Sequence, residues 1–441
     1  MKKKYPYRVM AVAAFLVMVA VSPLGAQAPE VAAVTLGDLI EKVYALNPAI
    51  VAARQHWRAA VEQYRVVTGY PDPQLMVTYF PEPIETRLGP QDWNLTLSQA
   101  IPFPGKLSAA GKVAAIDANI AKLILDQTVR AQVRDLRQSW YELYYIERAK
   151  GIAVANIALL DHMRKVGETA YAQDRTLFLD VVKSQSEVAQ LRYDLQLLTD
   201  LGQTERTRLN ALLNRSPDAE IGKLSPEPVL PIVYALEEIY ALAEAHQEEN
   251  RIAVAKVQRA EAGIVLARYR NLPNFKLGLF YSAIGQPDVP SPPAEAGDDA
   301  IGIQFGLSLP LWIGKNRGRV AAAMAARDRA AAMEQRTLNS TRTRIHGIYF
   351  RMENAKRLMT LYGKEMLPQA NKAMELAETW FSQGEGSFSD FIETRAVWHN
   401  FQLSLARAEA DYGKLLARLE TEAGRDLTTR ETFTVGEKGG E

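Results

Sequence analysis

An internal duplication constrains the fold of this chain more than any other feature of its sequence. Three segments recur in the same order about 200 residues later, and the best pair repeats Glu, Thr, Gln, Phe and Asp in register without a gap. The matching segments are 168–182 with 378–392, 97–106 with 307–315, and 46–48 with 249–251. A period this long is typical of a duplicated domain and not of a short solenoid repeat. Each half is predicted to run helix, strand, loop, strand, long helix, tip and long helix.

Four short segments, two in each half, alternate apolar and polar residues as half-buried β-strands do. They are residues 75–80, 93–98, 275–282 and 301–309. Each strand is predicted to be about 9 residues long, near the length of a tilted strand that crosses a bilayer. Aromatic residues stand near their ends, as in the interfacial girdles of membrane barrels: Tyr79, Phe80, Trp93, Tyr281 and Trp312. Pro81–Asp92 and Gln286–Asp299 are rich in Pro, Gly and acidic residues and are predicted loops.

Most of the remaining chain has apolar residues at the three- and four-residue spacing of α-helices. The predicted helices are residues 36–69, 106–170, 177–214, 234–270, 316–381 and 388–424. The segment 106–170 contains no proline and would extend about 100 Å at about 1.5 Å per residue. Helices of this length indicate coiled coils, with an ordinary helical bundle as the simpler alternative.

The strands could belong to a membrane barrel or to the edge of a soluble β-sandwich. Four strands in two hairpins cannot close a barrel, and lipid does not tolerate exposed strand edges. A membrane location therefore requires chains to share one wall, and three chains would supply twelve strands. The predicted fold is mainly α-helical with membrane β-structure: a trimeric 12-stranded β-barrel, four strands per chain, continued by a long α-helical coiled-coil barrel.

The N-terminus has the pattern of a signal peptide. A basic start is followed by an uncharged apolar segment, residues 9–21, and by the small-residue sequence Ala26-Gln27-Ala28. The apolar segment is shorter than the roughly 20 residues that span a bilayer, which argues against a signal anchor. The chain has no cysteine, so neither disulfides nor a lipidated N-terminal cysteine are expected, and its formal net charge of +1 gives no indication of nucleic-acid binding.

These features predict five regions along the chain. Their predicted bounds are residues 1–28 for the signal peptide, 29–215 for the first repeat, 216–233 for a Pro-rich linker, 234–425 for the second repeat, and 426–441 for a flexible tail. Beyond the signal peptide there is no run of about 18 apolar residues, so a location in a membrane would require a β-barrel.

With its duplication, strand pairs and tip segments, the chain from about residue 36 to 425 resembles the TolC-type outer-membrane efflux proteins. The phrase from Gln99 to Leu107, Gln-Ala-Ile-Pro-Phe-Pro-Gly-Lys-Leu, is similar to the CusC/CzcC-like subgroup that serves heavy-metal RND pumps. The resemblance implies a homotrimer in outer-membrane lipid, with a periplasmic helical tunnel. It also implies docking to a periplasmic adaptor and an inner-membrane RND transporter, and passive export of metal cations or drugs.

The resemblance also implies a gate at the periplasmic tip. Asp390 and Glu393 fall on the positions of the family's acidic constriction, and Asp180 is the charged counterpart in the first half. A spacing of three places the first two carboxylates on one helix face. The alternative for Asp390 is a helix N-cap after Ser387 and Ser389. The exposed turns are the expected adaptor contacts: Gln173, Asp174, Arg175, Thr176, Gln383, Gly384, Glu385, Gly386 and Ser387.

No motif in the sequence indicates an enzyme, a cofactor or a metal centre. Single scattered histidines, without an H-E-x-x-H motif or a cysteine, are expected to be surface or packing residues: His56, His162, His246, His346 and His399. Neither a complete phosphate-binding loop nor a G-x-S-x-G nucleophile elbow is present. Two alternatives to an efflux duct stay open at this point: the exit duct of a type I secretion system, and a periplasmic coiled-coil adaptor or scaffold.

Overall fold

The two halves of the chain fold into the same order of helices and strands in the computed structural model, which describes residues 33–172, 178–225 and 230–429. The first half contains α1 (Leu36–Leu46), α2 (Pro48–Thr68), β1 (Gln74–Thr86), β2 (Gly89–Pro102), α3 (Lys106–Tyr171) and α4 (Phe178–Leu212). The second contains α5 (Leu236–His246), α6 (Glu248–Tyr269), β3 (Asn274–Ile284), β4 (Ala300–Ser308), α7 (Ile313–Thr360), a π-helix (Leu361–Met366), α8 (Leu367–Gln383) and α9 (Phe388–Ala423). The predicted signal peptide lies outside the described residues, as does the predicted tail from residue 430 onward.

The first helix of each half is broken in two, where the sequence predicted one continuous helix. The amide oxygen of Asn47 accepts hydrogen bonds from the backbone N–H groups of Ala49 (2.9 Å) and Ile50 (3.3 Å), and so caps α2. Gln247 caps α6 in the same way, at 2.8 Å from the N–H of Asn250. The structural counterpart of Asn47 is therefore Gln247 and not Asn250, which corrects the pairing of segments 46–48 and 249–251.

The long helix predicted over residues 316–381 is also interrupted. Six residues before Leu367 form a π-helix, and α8 has a proline, Pro368, in its first turn. Proline has no backbone N–H, so one hydrogen bond of a continuous α-helix is missing there, and the backbone adjusts locally. In the described part of the chain, no helix has both the length and the apolar character needed to cross a bilayer.

Two equivalent apolar cores hold the helices together, one in each half. The first lies between α1, α3 and α4 around the fully buried Trp140, and the second lies between α5, α7 and α9 around Met352. Ion pairs join α3 to α9: Glu142 accepts from Arg407 Nη1 at 2.7 Å and from Lys414 Nζ at 2.5 Å. Burial alone would raise the pKa of Glu142, but these two hydrogen bonds hold it below its usual value. The two halves thus form one packed helical body.

The four strands form one antiparallel sheet in the order β1-β2-β3-β4, so the hairpins of the two halves lie side by side. The predicted loop Pro81–Asp92 is wrong, because β1 continues to Thr86 and β2 begins at Gly89. The prolines within β1 are compatible with a strand because β1 is at the sheet edge and its register shifts between Tyr79 and Ile84. The predicted length of about 9 residues holds only for β4, since β1, β2 and β3 have 13, 14 and 11 residues.

Candidate functional site

One face of the sheet is an exposed apolar surface that crosses all four strands. Register places Val77 beside Leu95, Leu95 beside Tyr281, and Tyr281 beside Ile301. The next row runs from Leu75 through Leu97 and Leu279 to Ile303. Residues on this face are unusually exposed for their type, and the most exposed are Ile301 (79%), Ile303 (76%), Phe305 (72%) and Tyr79 (70%). We call this surface the apolar face; a patch of this kind indicates contact with an apolar medium or partner.

The opposite face of the same sheet has polar rows on either side of a row that contains Met76 and Phe280. Asn94 lies beside Ser282, and these two side chains form a closed hydrogen-bonded group with the side chain of Gln91. Another row places Ser98 and Gln304 on either side of Gly278. We call this surface the polar face. Small hydrogen-bonded side chains of this kind suit a water-filled space.

Gly302 makes room for the ring of Phe280 on the polar face. A Cβ atom added to Gly302 would lie 2.1 Å from the ring of Phe280. A side chain at position 302 would therefore displace that ring. The ring of Phe280 thus lies directly over the backbone of Gly302.

Aromatic residues mark both ends of the apolar face. At the end near the strand turns, the rings of Trp93 and Tyr281 lie 5.3 Å apart, centroid to centroid. At the other end, Phe275 is 6.2 Å from both Phe103 and Phe305, and Trp312 is 75% exposed. Aromatic side chains at these two levels are typical of the two interfaces of a bilayer.

Both edges of the sheet are open within the described part of the chain. β1 and β4 each pair on one side only, with β2 and β3 respectively. Unpaired backbone groups next to an exposed apolar face cannot be satisfied by lipid. The edges therefore require pairing with strands from outside the chain if the apolar face lies in a bilayer.

The second candidate site is the turn between α8 and α9, far along the helices from the sheet. Gly384 adopts a left-handed conformation with φ of 79°, which glycine adopts at little cost, and ends α8. Ser387 caps α9: its hydroxyl accepts from the N–H of Asp390 at 3.1 Å. The cap is therefore Ser387, and the alternative role of Asp390 as the capping residue is wrong.

A buried aromatic cluster fixes this turn against the rest of the helical body. The rings of Phe381 and Phe388 are 4.9 Å apart, and Phe391 lies 6.2 Å from Phe381. All three belong to an apolar cluster that includes Leu160 and Met163 of α3. The tip of α8 and α9 is thus held by packing, while its charged groups point outward.

Asp390 and Glu393 lie one helical turn apart on the exposed side of α9. Neither carboxylate forms an ion pair with another of the described residues. Asp180 lies in the first turn of α4, and its side chain lies outside the described part of the structure. Of the predicted adaptor contacts, Gln383–Ser387 form the α8–α9 turn, whereas Gln173, Asp174, Arg175 and Thr176 lie outside the described residues.

One polar group that sequence reasoning missed is buried in the helical body near the tip. The side chain of Arg395 is only 2% exposed and donates to Glu187 of α4 at 2.7 Å. Its Nε and Nη1 atoms, together with Nδ1 of His399 one turn later, are buried without a hydrogen-bond partner among the described atoms. In the sequence, Arg395 looks like any charged residue on a helix surface. No sequence signal marked it, since its burial depends on the packing of α9 against α3 and α4.

Metal-ligating groups do not gather in the described part of the chain. No set of three His, Cys, Asp or Glu residues there could hold a metal ion. Nδ1 of His346 lies 3.2 Å from the hydroxyl of Tyr240, an ordinary surface contact between helices.

Comparison with known proteins bears on both halves of the chain. A family model described as outer membrane efflux protein matches residues 239–425. No curated protein sequence matches the chain at a significant level. Several solved structures share the fold over most of their length, and OprN, VceC and CusC are three of them. The outer-membrane channel OprN has a TM-score of 0.75 at 16% identity, covering 89% of this chain and 91% of its own.

The outer membrane protein VceC from Vibrio cholerae has a TM-score of 0.72 at 18% identity, covering 89% of this chain and 96% of its own. CusC, whose structures concern folding and transmembrane channel formation, has a TM-score of 0.74 at 13% identity. The match covers 88% of this chain and 92% of CusC. These comparisons confirm the predicted fold class. The second half of the chain matches the outer membrane efflux protein family, and the chain has the fold of solved outer-membrane channels.

Proposed function

We propose that this chain is the outer-membrane channel of a tripartite efflux system. Three copies would join their sheets through β1 and β4 into one closed barrel of twelve strands, with the apolar face toward lipid and the polar face toward the lumen. The observation that carries this proposal is the sheet itself, which has an exposed apolar face, a polar face and two edges that are unpaired within the described residues. A periplasmic adaptor or scaffold has no need of such a sheet.

The helical body would continue the pore into the periplasm. α3 alone has 66 residues, which correspond to about 100 Å of helix. Such a length would carry a passage across much of the periplasm to an adaptor and an RND-type pump in the inner membrane. In this scheme the chain conducts its substrate passively and has no catalytic role, because the pump supplies the energy.

The exported substrate is proposed as a metal cation or a drug, and the subgroup likeness favours metals. CusC is one of the solved structures with this fold, and the phrase Gln99–Leu107 is similar to its subgroup. Deletion of the gene should lower the inhibitory concentration of at least one metal or drug in a broad panel, and the wild-type gene should restore it. An unchanged panel, together with loss of a secreted protein, would instead favour a type I secretion duct.

We propose that Asp390 and Glu393 form the periplasmic constriction, with Asp180 as the first-half contribution. Threefold symmetry would turn each exposed carboxylate into a ring of three, which attracts cations in a confined space. The neighbouring turn Gln383–Ser387, together with residues 173–176, would contact the adaptor. Support comes from the position of both acids at the exposed tip and the absence of an ion pair with any described residue.

Single-channel recording in planar bilayers tests this gate. Replacing both Asp390 and Glu393 by Ala should raise conductance or weaken block by divalent cations. Glu375→Ala is a matched control, since Glu375 is an exposed acid on α8 of the same hairpin. Unchanged conductance and unchanged block in the double variant would remove both residues from the site.

A further inference from the structure

The junction between the sheet and the helices is strongly basic. Four stretches of chain meet there, and three of them, residues 103–116, 262–287 and 300–327, contain no acidic residue, whereas the fourth, residues 69–74 between α2 and β1, contains Asp72. Their cations near the junction are Lys106, Arg268, Arg270, Lys276, Lys315, Arg317 and Arg319. A region with seven cations and one acid stands out in a chain whose acidic and basic residues are nearly balanced.

Two of these cations have structural partners. Lys106 donates to the carbonyl of Leu272 at 3.1 Å and to Oδ1 of Asn274 at 2.7 Å. Arg319 donates to the carbonyl of Arg270 at 3.3 Å and to the side chain of Asn271. Burial and the nearby positive charges of Arg319 and Arg270 hold the pKa of Lys106 below its usual value. The side chains of Lys106 and Arg319 both bind the short segment 270–274, which brings their positive charges near each other.

Four other cations are exposed and have no partner among the described residues. Arg268 and Arg270 stand at the C-terminal end of α6, while Lys315 and Arg317 stand in the first turns of α7. None of their side chains forms an ion pair or hydrogen bond within the described part of the chain. Repulsion among uncompensated cations makes this surface ready for an anion.

Arg268 and Arg317 line the same groove, one from each helix. The groove lies between α6 and α7, has a volume of about 520 Å³ and is otherwise lined mostly by apolar atoms. Its apolar side chains come from one side of α7: Ile313, Val320, Ala321 and Met324. Such a groove can hold hydrocarbon below a charged group, which is the shape and chemistry of a lipid.

The apolar surface continues from the sheet into this groove. After β4, successive apolar side chains remain exposed: Leu309 (61%), Leu311 (72%), Trp312 (75%) and Ile313 (64%). Ile313 itself lines the groove. Arginine beside an exposed tryptophan, at the end of an apolar surface, is typical of the headgroup level of a bilayer.

We propose that this groove binds the phosphate headgroup of an anionic phospholipid, such as phosphatidylglycerol, between Arg268 and Arg317. An acyl chain would lie along Ile313 and Trp312 toward the apolar face. Zwitterionic lipids fit less well, because their headgroup cation would meet four cations within stretches of chain that contain no acid. The inference rests on the proposed function, since it requires the sheet to sit in a bilayer.

Native mass spectrometry of the detergent-solubilised, full-length protein tests this site. The protein is titrated with phosphatidylglycerol and, separately, with phosphatidylcholine, and bound lipid is counted. The wild type should prefer phosphatidylglycerol by about tenfold, since each Arg near a membrane surface favours anionic lipid by roughly a few-fold. Arg268→Gln combined with Arg317→Gln should remove most of that preference. Both arginines are exposed and unpaired, so folding should be unaffected.

Lys276→Gln is the matched control. Lys276 is an exposed cation at the same end of the sheet, but its register partners Ala100 and Gly306 place it on the polar face. It should leave the preference unchanged. An equal affinity for both lipids, an unaltered preference in the double variant, or an equal loss in Lys276→Gln would each overturn the proposal.

Two further measurements distinguish lipid binding from binding of a free anion and from failure of the proposed function. Excess inorganic phosphate should not displace phosphatidylglycerol; displacement by phosphate alone would make the groove a free-anion site and reject the lipid. Wild-type protein should fractionate with outer membranes. A protein that fractionates there without a lipid preference contradicts only this inference, whereas a protein absent from outer membranes contradicts the proposed function itself.

Discussion

The sheet and the helical body place their apolar residues in opposite ways. The helical body has apolar cores inside, with Trp140 and Met352 both 0% exposed, although other large side chains on its helices are exposed, such as Tyr193 at 65% and Phe350 at 61%. In the sheet large apolar side chains are outside, as with Ile303 at 76%, while Ser282 at 6% is enclosed on the other face. One region therefore has apolar cores in its interior, and the other has a continuous apolar surface on its outside. The basic junction lies where these two regions meet.

The largest effect is expected when a charge is introduced on the apolar face. Ile303→Arg should cost about 2–4 kcal/mol per chain if the face lies at the level of lipid, and the cost recurs in every subunit. Gln304→Arg, one residue later on the polar face, should be tolerated. The measurement is the amount of SDS-resistant oligomer in outer-membrane fractions. Equal amounts for the two variants would remove the distinction between the faces.

Replacement of the buried Arg395 tests how the helical body tolerates a charge in its interior. Replacement of a whole buried ion pair by apolar side chains of similar size is often neutral or stabilising, by about 1–4 kcal/mol, whereas removal of one partner is destabilising when the other charge stays buried. Because Arg395 leaves two nitrogen atoms without partners and Glu187 is 44% exposed, Arg395→Met should be neutral or raise the melting temperature. Arg407→Met is the control. The side chain of Arg407 is 44% exposed and pairs with Glu142, so this substitution should lower the melting temperature slightly. A marked loss of stability in Arg395→Met would show that this ion pair holds the helices together.

A smaller effect is expected from His399, which faces Arg395, Glu187 and Asp194. Burial, and then the charge of Arg395, lowers the pKa of His399, while Glu187 and Asp194 act in the opposite direction. A folded-state pKa below the unfolded value means that stability is complete above the unfolded value, near 6.5, and is lost as pH falls through the folded value. Melting temperatures at pH 7.5 and pH 5 should therefore differ less in His399→Gln than in the wild type. A wild-type difference that persists in the variant would contradict this.

The contrast between faces was readable from sequence where it follows a simple period. Alternation at Ile301, Ile303 and Phe305 identified β4, and the spacing of apolar residues identified α3 to within one residue at its end. The continuation of β1 past Pro81 was not readable, because proline usually ends strands and only an edge position tolerates it. The break at Gln247 was missed because glutamine is not a typical capping residue.

Features made by distant parts of the chain were beyond sequence reasoning. Asp390 and Glu393 were found through resemblance, and their role at a gate stays a prediction. The groove between Arg268 and Arg317 appears only when α6 and α7 lie side by side, although the scarcity of acids around it was visible in the sequence. The burial of Arg395 likewise depends on three helices and gives no local signal.

The central claim is that β1 of one chain pairs with β4 of another until three chains close the sheet. The chain has no cysteine, so introduced cysteines report without background. Thr78→Cys in β1 would be combined in turn with a cysteine at each residue of β4, and the protein oxidised in native membranes. At least one combination should give a covalent species of three chains and nothing larger. Monomers in every combination, from a protein that stays dissolved without detergent, would contradict it.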